Sequence, residues 1–393
     1  LRVTGLDFSI PNILSGIALS LFVFSIGYMT IAIGRVLVFR QKTRRPVLSS
    51  NDLPVTVLKP ICGIEYELAE NLRSFCRQDY AEHQVIFGVR DNNDPAIPVI
   101  EAVIKEFSDR DISLVVDDQI IGSNYKISNL ANMAKIAKHD VFVISDSDMR
   151  VSTDYLQRVT APFADSKVGA STCLYSGTPA KGLASRLGAM FVNDWFLPSA
   201  LIPTMFGKLN FCFGATMAVR RNVLEGFGGF PALTDFLADD YMLGKFVVEQ
   251  GYDVALVPYV VENVILEEDL KAVFFHEIRW ARTIRSVQPR GYVASITTEI
   301  LPLSIFAAFG AFTMGVSTPM SLVPVAIALG MRTILHYAVC RGLTNGKSCG
   351  AWLIPIRDML SFVVRIYSFC GTKVLWRERE FVVLADNRLK IAK

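Results

Sequence analysis

Val141-Phe142-Val143-Ile144-Ser145-Asp146-Ser147-Asp148 decides the reading of this chain: four apolar residues, three of them β-branched, run into two carboxylates one residue apart. A short continuous apolar run of this kind is expected to form a strand buried on both faces. In an extended chain residues i and i+2 point to the same side, so Asp146 and Asp148 are expected to converge on one hard cation where the strand opens into a loop. An isolated Asp-x-Asp is common at solvated strand ends, so the pair gains meaning only from its context.

The flanking sequence repeats the strand pattern. Residues 55–58, 84–89, 112–116 and 168–174 are β-branched runs of strand length. Between the first two, Leu68, Leu72, Phe75 and Cys76 fall at i, i+4, i+7 and i+8, an apolar helix stripe. Asp94-Pro95 offers an N-cap with proline at the first helical position, and Ile97, Ile100, Ile104 and Phe107 continue that helix. Strand and helix alternating in this way specify an α/β fold, a mostly parallel sheet covered on both faces. Ligands of such sheets bind outside the carboxyl ends of the strands. Asp91, Asp146 and Asp148 all fall at such ends. Three acidic groups on one rim repel a bare phosphate and suit a metal-bridged nucleotide. Neither G-x-G-x-x-G nor G-x-x-x-x-G-K follows the first strand, which argues against dinucleotide and P-loop readings.

Hydrophobic residues make up 51% of the 393, and the ends carry the excess. Phe8 to Gly34 and Ile300 to Met331 contain no charged residue, and about 20 apolar residues span a bilayer. The first stretch is followed by Arg35, Arg40, Lys42, Arg44 and Arg45 and reads as an uncleaved signal anchor over 8–39, its basic flank cytosolic. A cytosolic catalytic domain is expected over 54–288 and a C-terminal membrane region over 293–376, with apolar segments at 293–316, 320–340 and 353–375. If all three spanned, the tail with Arg377, Arg379, Arg388, Lys390 and Lys393 would lie outside, against the positive-inside trend. The segment bearing Arg357, Asp358 and Arg365 is therefore expected to lie in the cytoplasmic interface. A net charge of +3, with basic residues beside the apolar spans, excludes a nucleic-acid partner and points to anionic headgroups of the bilayer. Seven cysteines without a C-x-x-C pair suit reduced thiols, and none is assigned to metal.

Two further clusters carry candidate chemistry. Asp239-Asp240 precedes a helix running to about Gln250, and His276-Glu277-Ile278-Arg279-Trp280 lies in a helical stretch with Arg282 and Arg285. Guanidinium groups suit diphosphate oxygens, and Trp280 offers a flat apolar face. Asp94, Asp117 and Asp118 are better explained by a cap and a strand end. Lys59 reads equally as a nucleotide contact or a surface lysine.

Taken together, Leu58-Lys59-Pro60, Asp91 in Arg90-Asp91-Asn92-Asn93-Asp94-Pro95, Lys126 with Asn129-Leu130, Asp146-Ser147-Asp148, Asp239-Asp240-Tyr241 and Arg279-Trp280 resemble the membrane-bound ceramide glucosyltransferase family, whose catalytic fold is GT-A. The segments Asn71 to Cys76, Cys212 to Ala218 and His276 to Arg285 are similar to those of its bacterial hopanoid-associated members. Processive polysaccharide synthases carry Gln-x-x-Arg-Trp, whereas His276 stands at the first position here, which argues against a polymer-extruding channel.

The resemblance implies an inverting glycosyltransferase acting on a membrane lipid hydroxyl from a UDP-sugar. Asp240 is implied as general base, with Asp239 as its neighbour and second choice. Asp146 and Asp148 are implied to hold Mg2+ or Mn2+ against the leaving diphosphate. Asp91, Lys126, Arg279, Trp280 and His276 are assigned to the nucleotide-sugar. The subgroup implies transfer of N-acetylglucosamine to bacteriohopanetetrol at a bacterial inner membrane. Glucose transfer to ceramide is the alternative, and a non-catalytic nucleotide-sugar sensor is the reading from another class.

Overall fold

A computed structural model describes residues 10–46, 53–344, 346, 350–376, 379–384 and 388–391. Phe8 and Ser9, which begin the first apolar stretch, and the basic Arg377 and Lys393 lie outside them. The chain opens with helix α1 (Ile10–Thr43), then alternates β1 (Val55–Pro60), α2 (Leu68–Cys76), β2 (His83–Val89), α3 (Ile97–Glu106), β3 (Ile112–Val116), α4 (Tyr125–Ala134) and β4 (Val141–Ile144). There follow β5 (Met149–Arg150), α5 (Tyr155–Thr160), β6 (Val168–Pro179), α6 (Gly182–Phe191), α7 (Leu197–Leu201), β7 (Met217–Arg220), α8 (Arg221–Gly226), α9 (Asp239–Glu249) and β8 (Asp253–Ile265). The carboxyl-terminal part holds α10 (Leu270–Val287), α11 (Pro289–Ala294), α12 (Ile300–Thr313), α13 (Thr318–Ser321), α14 (Val323–Leu343), α15 (Ile354–Ser368), β9 (Lys373–Trp376), β10 (Arg379–Val383) and β11 (Leu389–Ile391).

The eight-stranded sheet has the order β3-β2-β1-β4-β7-β6-β8-β5. Its first four strands are parallel, as their apolar patterns require, and β6 also runs parallel to β8. Strand β7 is antiparallel to both β4 and β6, and β5 is antiparallel to β8. The result is the α/β sheet of the expected GT-A class. Strands β1 and β4 are buried along their whole length, so a continuous apolar run is the pattern each must show. Winding proceeds outward from β1 to β3 and then returns past β1 to β4. That reversal makes the carboxyl ends of β1 and β4 the topological switch point, where a cleft opens.

Local expectation and structure part at two places. Asp94 does not cap α3: its carboxylate accepts from the amides of Ala96 (2.8 Å) and Gly63 (2.9 and 3.1 Å), tying the loop after β1 to the helix start. Lys59 is no surface lysine, since it is fully buried.

Two helical stretches, Ile13–Thr43 and Thr318–Leu343, are long and apolar enough to cross a membrane. The pair Pro289–Thr298 and Ile300–Thr313, bent by 63°, counts as a third if it is one span. The protein is therefore membrane-associated. Helix α15, with 15 residues, extends about 22 Å at 1.5 Å per residue, short of the roughly 30 Å hydrocarbon core. Its charged residues turn inward: Arg357 grips Glu277 of α10 at 2.6 and 2.7 Å, Asp358 takes Arg332 of α14 at 2.7 to 3.1 Å, and Arg365 reaches Glu299 at 2.8 Å. Arg332 also donates to the Asp194 carbonyl, and His336 lies 2.8 Å from the Asp194 carboxylate. Asp194 belongs to a π-helical turn, Val192–Phe196, between α6 and α7.

Strands β9 to β11 form a separate antiparallel sheet. It is fastened to α10 and to the segment before α9. Val374 and Phe381 pack on Leu237, a bridge joins Phe236 to Arg388, Arg282 donates to the carbonyls of Cys370 and Lys373, and Arg285 donates to Gly371. The tail must therefore share a membrane side with the large sheet. In a cysteine-free background, Leu384→Cys and Lys105→Cys, both at exposed positions, are expected to react with an impermeant maleimide from the same side. Labelling from opposite sides would require α15 to span.

Candidate active site

The cleft at the switch point gathers charge from four elements. After β4 the chain does not stay extended: Ser147 and Asp148 form a turn leading into β5. The turn is pinned at both ends, by Ser145 Oγ donating to the Ala215 carbonyl (2.9 Å) and by the Val264 amide donating to the Asp148 carbonyl (3.1 Å). Asp146 and Asp148 are thus brought near each other by a turn, not by the period of a strand. The Asp148 carboxyl accepts from Asn263 Nδ2 at 2.8 Å. Burial, followed by the Asp146 charge, pushes it up to about 6.

Lys126 comes from the first turn of α4, where the Asn124 side chain caps the amides of Lys126 and Ile127. Its ammonium lies 2.7 Å from Asp146 and 3.6 Å from Asp239. Burial opposes its charge, yet Asp146, Asp239 and Asp240 outweigh burial and hold it above the ordinary lysine range. Asn124 Nδ2 donates to the Phe236 carbonyl (2.9 Å) and approaches Asp239 Oδ1 (3.4 Å), so one cap residue joins α4 to the segment leading into α9. Lys59, the second cation, donates to the Asp146 carbonyl at 2.7 Å and lies over the Phe75 ring at 3.6 Å. Its burial pulls it down to about 7 against the raising influence of Asp148 and Asp146.

Asp239 and Asp240 open α9, where the helix dipole favours carboxylates. Asp239 is buried, and its Oδ2 has no hydrogen-bond partner. Asp240 is partly open to the cleft and accepts from the Tyr241 amide at 2.8 Å. Burial first, then Asp239, pushes Asp240 up to about 7, with Lys126 opposing. Gly214 faces it so closely that a Cβ there would lie 3.1 Å from Asp240 Oδ2.

The structure therefore brings Asp146, Asp148, Lys126, Asp239 and Asp240 into one cluster. Asp91 stands exposed at the carboxyl end of β2, its Oδ1 accepting from the Asn93 amide at 2.9 Å. That is the same rim, two strand spacings or about 10 Å from β4. On α10, His276 is engaged by Glu267 at 2.7 Å and meets the Trp280 ring edge-on at 4.5 Å. Trp280 in turn packs on Phe191 with centroids 5.4 Å apart. The charge of Arg279 is felt at Tyr175 on β6, as are those of the carboxylates. Burial raises the Tyr175 phenol, Asp240, Asp148 and Asp146 raise it further, and Arg279 opposes them. Tyr175, in tilted contact with Phe196 at 4.5 Å, is a residue that sequence reasoning missed, as is Asn263. Alternation along β6 carried no chemical signal that separates Tyr175 from a core aromatic.

The residues fit a divalent cation in one particular way. Among the described residues, no three His, Cys, Asp or Glu side chains converge as a ready-made cage. Asp146 and Asp148 offer hard carboxylate oxygens close enough for the Asp146 charge to act on Asp148. Magnesium commonly binds through one or two carboxylates plus substrate phosphates. The set accordingly suits a metal that arrives with a nucleotide.

The family model described as Glycosyl transferase family 21 matches residues 17–389. Ceramide glucosyltransferase 1 of Caenorhabditis elegans is 22% identical over 350 residues, covering 86% of this chain and 73% of the relative. Ceramide glucosyltransferase of Komagataella phaffii is 36% identical over 108 residues, covering 26% of this chain and 21% of that protein. Among solved structures, a mannosyltransferase from Pyrobaculum calidifontis in complex with GDP-Man and Mn2+ is 18% identical with a TM-score of 0.49, covering 89% of this chain and 99% of that one. TarS of S. aureus in complex with UDP-GlcNAc is 15% identical with a TM-score of 0.40, covering 86% and 97%.

The Lys126 cluster generates a stability prediction. Removing one partner of a fully buried ion pair costs about 3–5 kcal/mol. With 18% of the Lys126 side chain exposed, Lys126→Met is expected to cost about 2 kcal/mol, read from the unfolding midpoint in detergent. Adding Asp239→Asn should recover part of that loss, because the orphaned charge is then gone. An unchanged midpoint in Lys126→Met would remove the ammonium from its structural role.

Proposed function

The chain belongs to glycosyl transferase family 21, and from that membership we propose that this hexosyltransferase moves a sugar from a UDP-sugar to the hydroxyl of a membrane lipid, with inversion. The observation that carries the reading is the partly open Asp240 carboxyl at the head of α9, facing a rim of carboxylates and one ammonium beside membrane helices. The division of labour follows from charge. A base near neutrality is best matched to abstracting a hydroxyl proton at working pH, and Asp240, pushed up to about 7, has that character. Asp239, buried and held by Asn124 and Lys126, positions the head of α9. Asp91 and Lys126 hold the nucleotide. Arg279 adds positive charge where the diphosphate departs, and Trp280, seated on Phe191 with His276 at its edge, shapes the sugar end. A divalent cation on Asp146 and Asp148, Mg2+ or Mn2+, would supply charge neutralisation of the leaving diphosphate.

The catalytic part, 54–288, lies on the cytosolic side in this reading, between an anchor at 8–39 and the membrane region at 293–376, in a bacterial inner membrane. Arg40 and Lys42 end α1 and Arg341 ends α14, which suits the positive-inside rule for both spans. For the acceptor and donor we propose bacteriohopanetetrol and UDP-N-acetylglucosamine, on the likeness of the segments around Cys76, Cys212 and His276. The second reading, ceramide and UDP-glucose, is favoured by the relatives, which are ceramide glucosyltransferases.

Three outcomes are expected. Asp240→Asn should lower kcat by roughly 10² to 10⁴ with the nucleotide-sugar KM little changed; retention of most activity would shift the base to Asp239. Calorimetry of UDP should show tighter binding with Mg2+ than with chelator, and Asp146→Ala should erase that difference. Equal affinity in the wild type would remove the metal assignment. Purified enzyme offered both sugars and both lipids should yield N-acetylglucosaminyl bacteriohopanetetrol by mass spectrometry. Glucosylceramide alone would establish the second reading.

A further inference from the structure

Away from the active site, a groove of about 360 Å³ opens between α1 and α14, within the roughly 300–1,000 Å³ typical of ligand sites. Its walls are apolar, with Ile33 and Leu37 on α1 and Ile334 and Tyr337 on α14, and both helices contribute an arginine, Arg40 and Arg341. The two guanidinium groups stand in the last turns of their helices, one layer beyond the apolar walls.

Neither arginine has a carboxylate within ion-pairing distance among the described residues. Arg341 lies over the Tyr337 ring at 5.5 Å. Arg40 Nε is buried with no hydrogen-bond partner. The Arg40 stem is also seated: a Cβ on Gly342 would come within 2.8 Å of Arg40 Cδ, so the glycine opens the space the stem occupies. A helix dipole accounts for a basic residue in a last turn, but it requires neither a glycine opposite nor a shared apolar groove. Every other arginine at the heart of the membrane region, Arg332, Arg357 and Arg365, has its own acidic partner. Two unneutralised cations at the head of an apolar groove are complementary to a single negative charge carrying a hydrocarbon chain.

We propose that this groove binds one anionic phospholipid, its phosphodiester between Arg40 and Arg341 and an acyl chain along α1 and α14. The proposal rests on the reading that these two helices cross the bilayer. It differs from general lipid contact because it selects the headgroup charge at one place. Arg35, one turn and a half earlier on α1, donates to Thr204 at 2.6 Å, which ties α1 itself to the segment that runs toward Gly214.

The test uses the full chain purified in detergent, with phosphatidylglycerol and phosphatidylcholine of identical acyl chains, read by native mass spectrometry. One phosphatidylglycerol should be retained under activation that strips phosphatidylcholine. Arg40→Gln with Arg341→Gln should weaken retention about thirtyfold, at roughly fivefold per arginine. Ile334→Trp should also abolish retention by filling the groove without touching a charge. Each variant is first required to elute as a single species and to bind UDP. Equal retention of the two lipids, an unaffected double variant, or one-for-one displacement of phosphatidylglycerol by an uncharged acceptor lipid would overturn the proposal. Carbonate extraction of the same membranes separates the two failures. Release of the protein sinks the membrane reading, whereas firm retention without headgroup selection sinks the lipid site alone.

Discussion

The Lys126 ammonium among four carboxylates is the constraint on which the site depends. Asp146, Asp148, Asp239 and Asp240 come from two elements far apart in sequence, and like charges gathered in a partly buried cleft repel. Lys126 makes the gathering tolerable by standing 2.7 Å from one group and 3.6 Å from the other. Its position follows from an unremarkable local device, the Asn124 cap of α4. Because the same asparagine donates to the Phe236 carbonyl, the helix that brings Lys126 is also tied to the chain that brings Asp239 and Asp240. Burial first, and then a neighbouring carboxylate in each case, leaves the Asp148 and Asp240 carboxyls raised.

A second constraint joins the catalytic sheet to the membrane helices. The pairs Arg357–Glu277, Arg332–Asp358 and Arg365–Glu299 are almost completely buried. Such pairs add little net stability over apolar packing but are costly to break singly, so they act as registration pins. Glu277 lies two residues before Arg279 and three before Trp280 on α10. Its grip on Arg357 of α15 thereby fixes the rotation of the helix that carries both. The π-turn at Val192–Phe196 plays the matching part on the other side, with Asp194 engaged by α14 while Phe196 packs on Tyr175. Chemistry at the rim and contact with the membrane region are in this way mechanically continuous.

The carboxyl-terminal sheet extends that continuity. Through Phe236 and Leu237 it touches the few residues that precede Asp239, and through Arg282 and Arg285 it holds the far end of α10. A tail that would otherwise be a basic appendage thus braces both walls of the cleft.

The sequence by itself determined the parallel half of the sheet, because β1 and β4 are buried on both faces and only a continuous apolar run satisfies that position. It also determined the apolar spans and the residue types at the rim, since strand ends bearing carboxylates can be read from order alone. The short antiparallel strands β5 and β7 and the long β8 were not legible: their pairing is set by partners distant in the chain, and their own patterns are mixed. Tertiary structure alone decided that Ser147 and Asp148 turn, that Lys59 is buried with its ammonium over the Phe75 ring, and that Tyr175 feels both Arg279 and the carboxylates. It also decided that the charges of α15 face inward to ion-pair partners on three other segments: Glu277, Arg332 and Glu299. These are outcomes of long-range contact, and local propensity does not encode which distant group will neutralise a charge or cover a side chain.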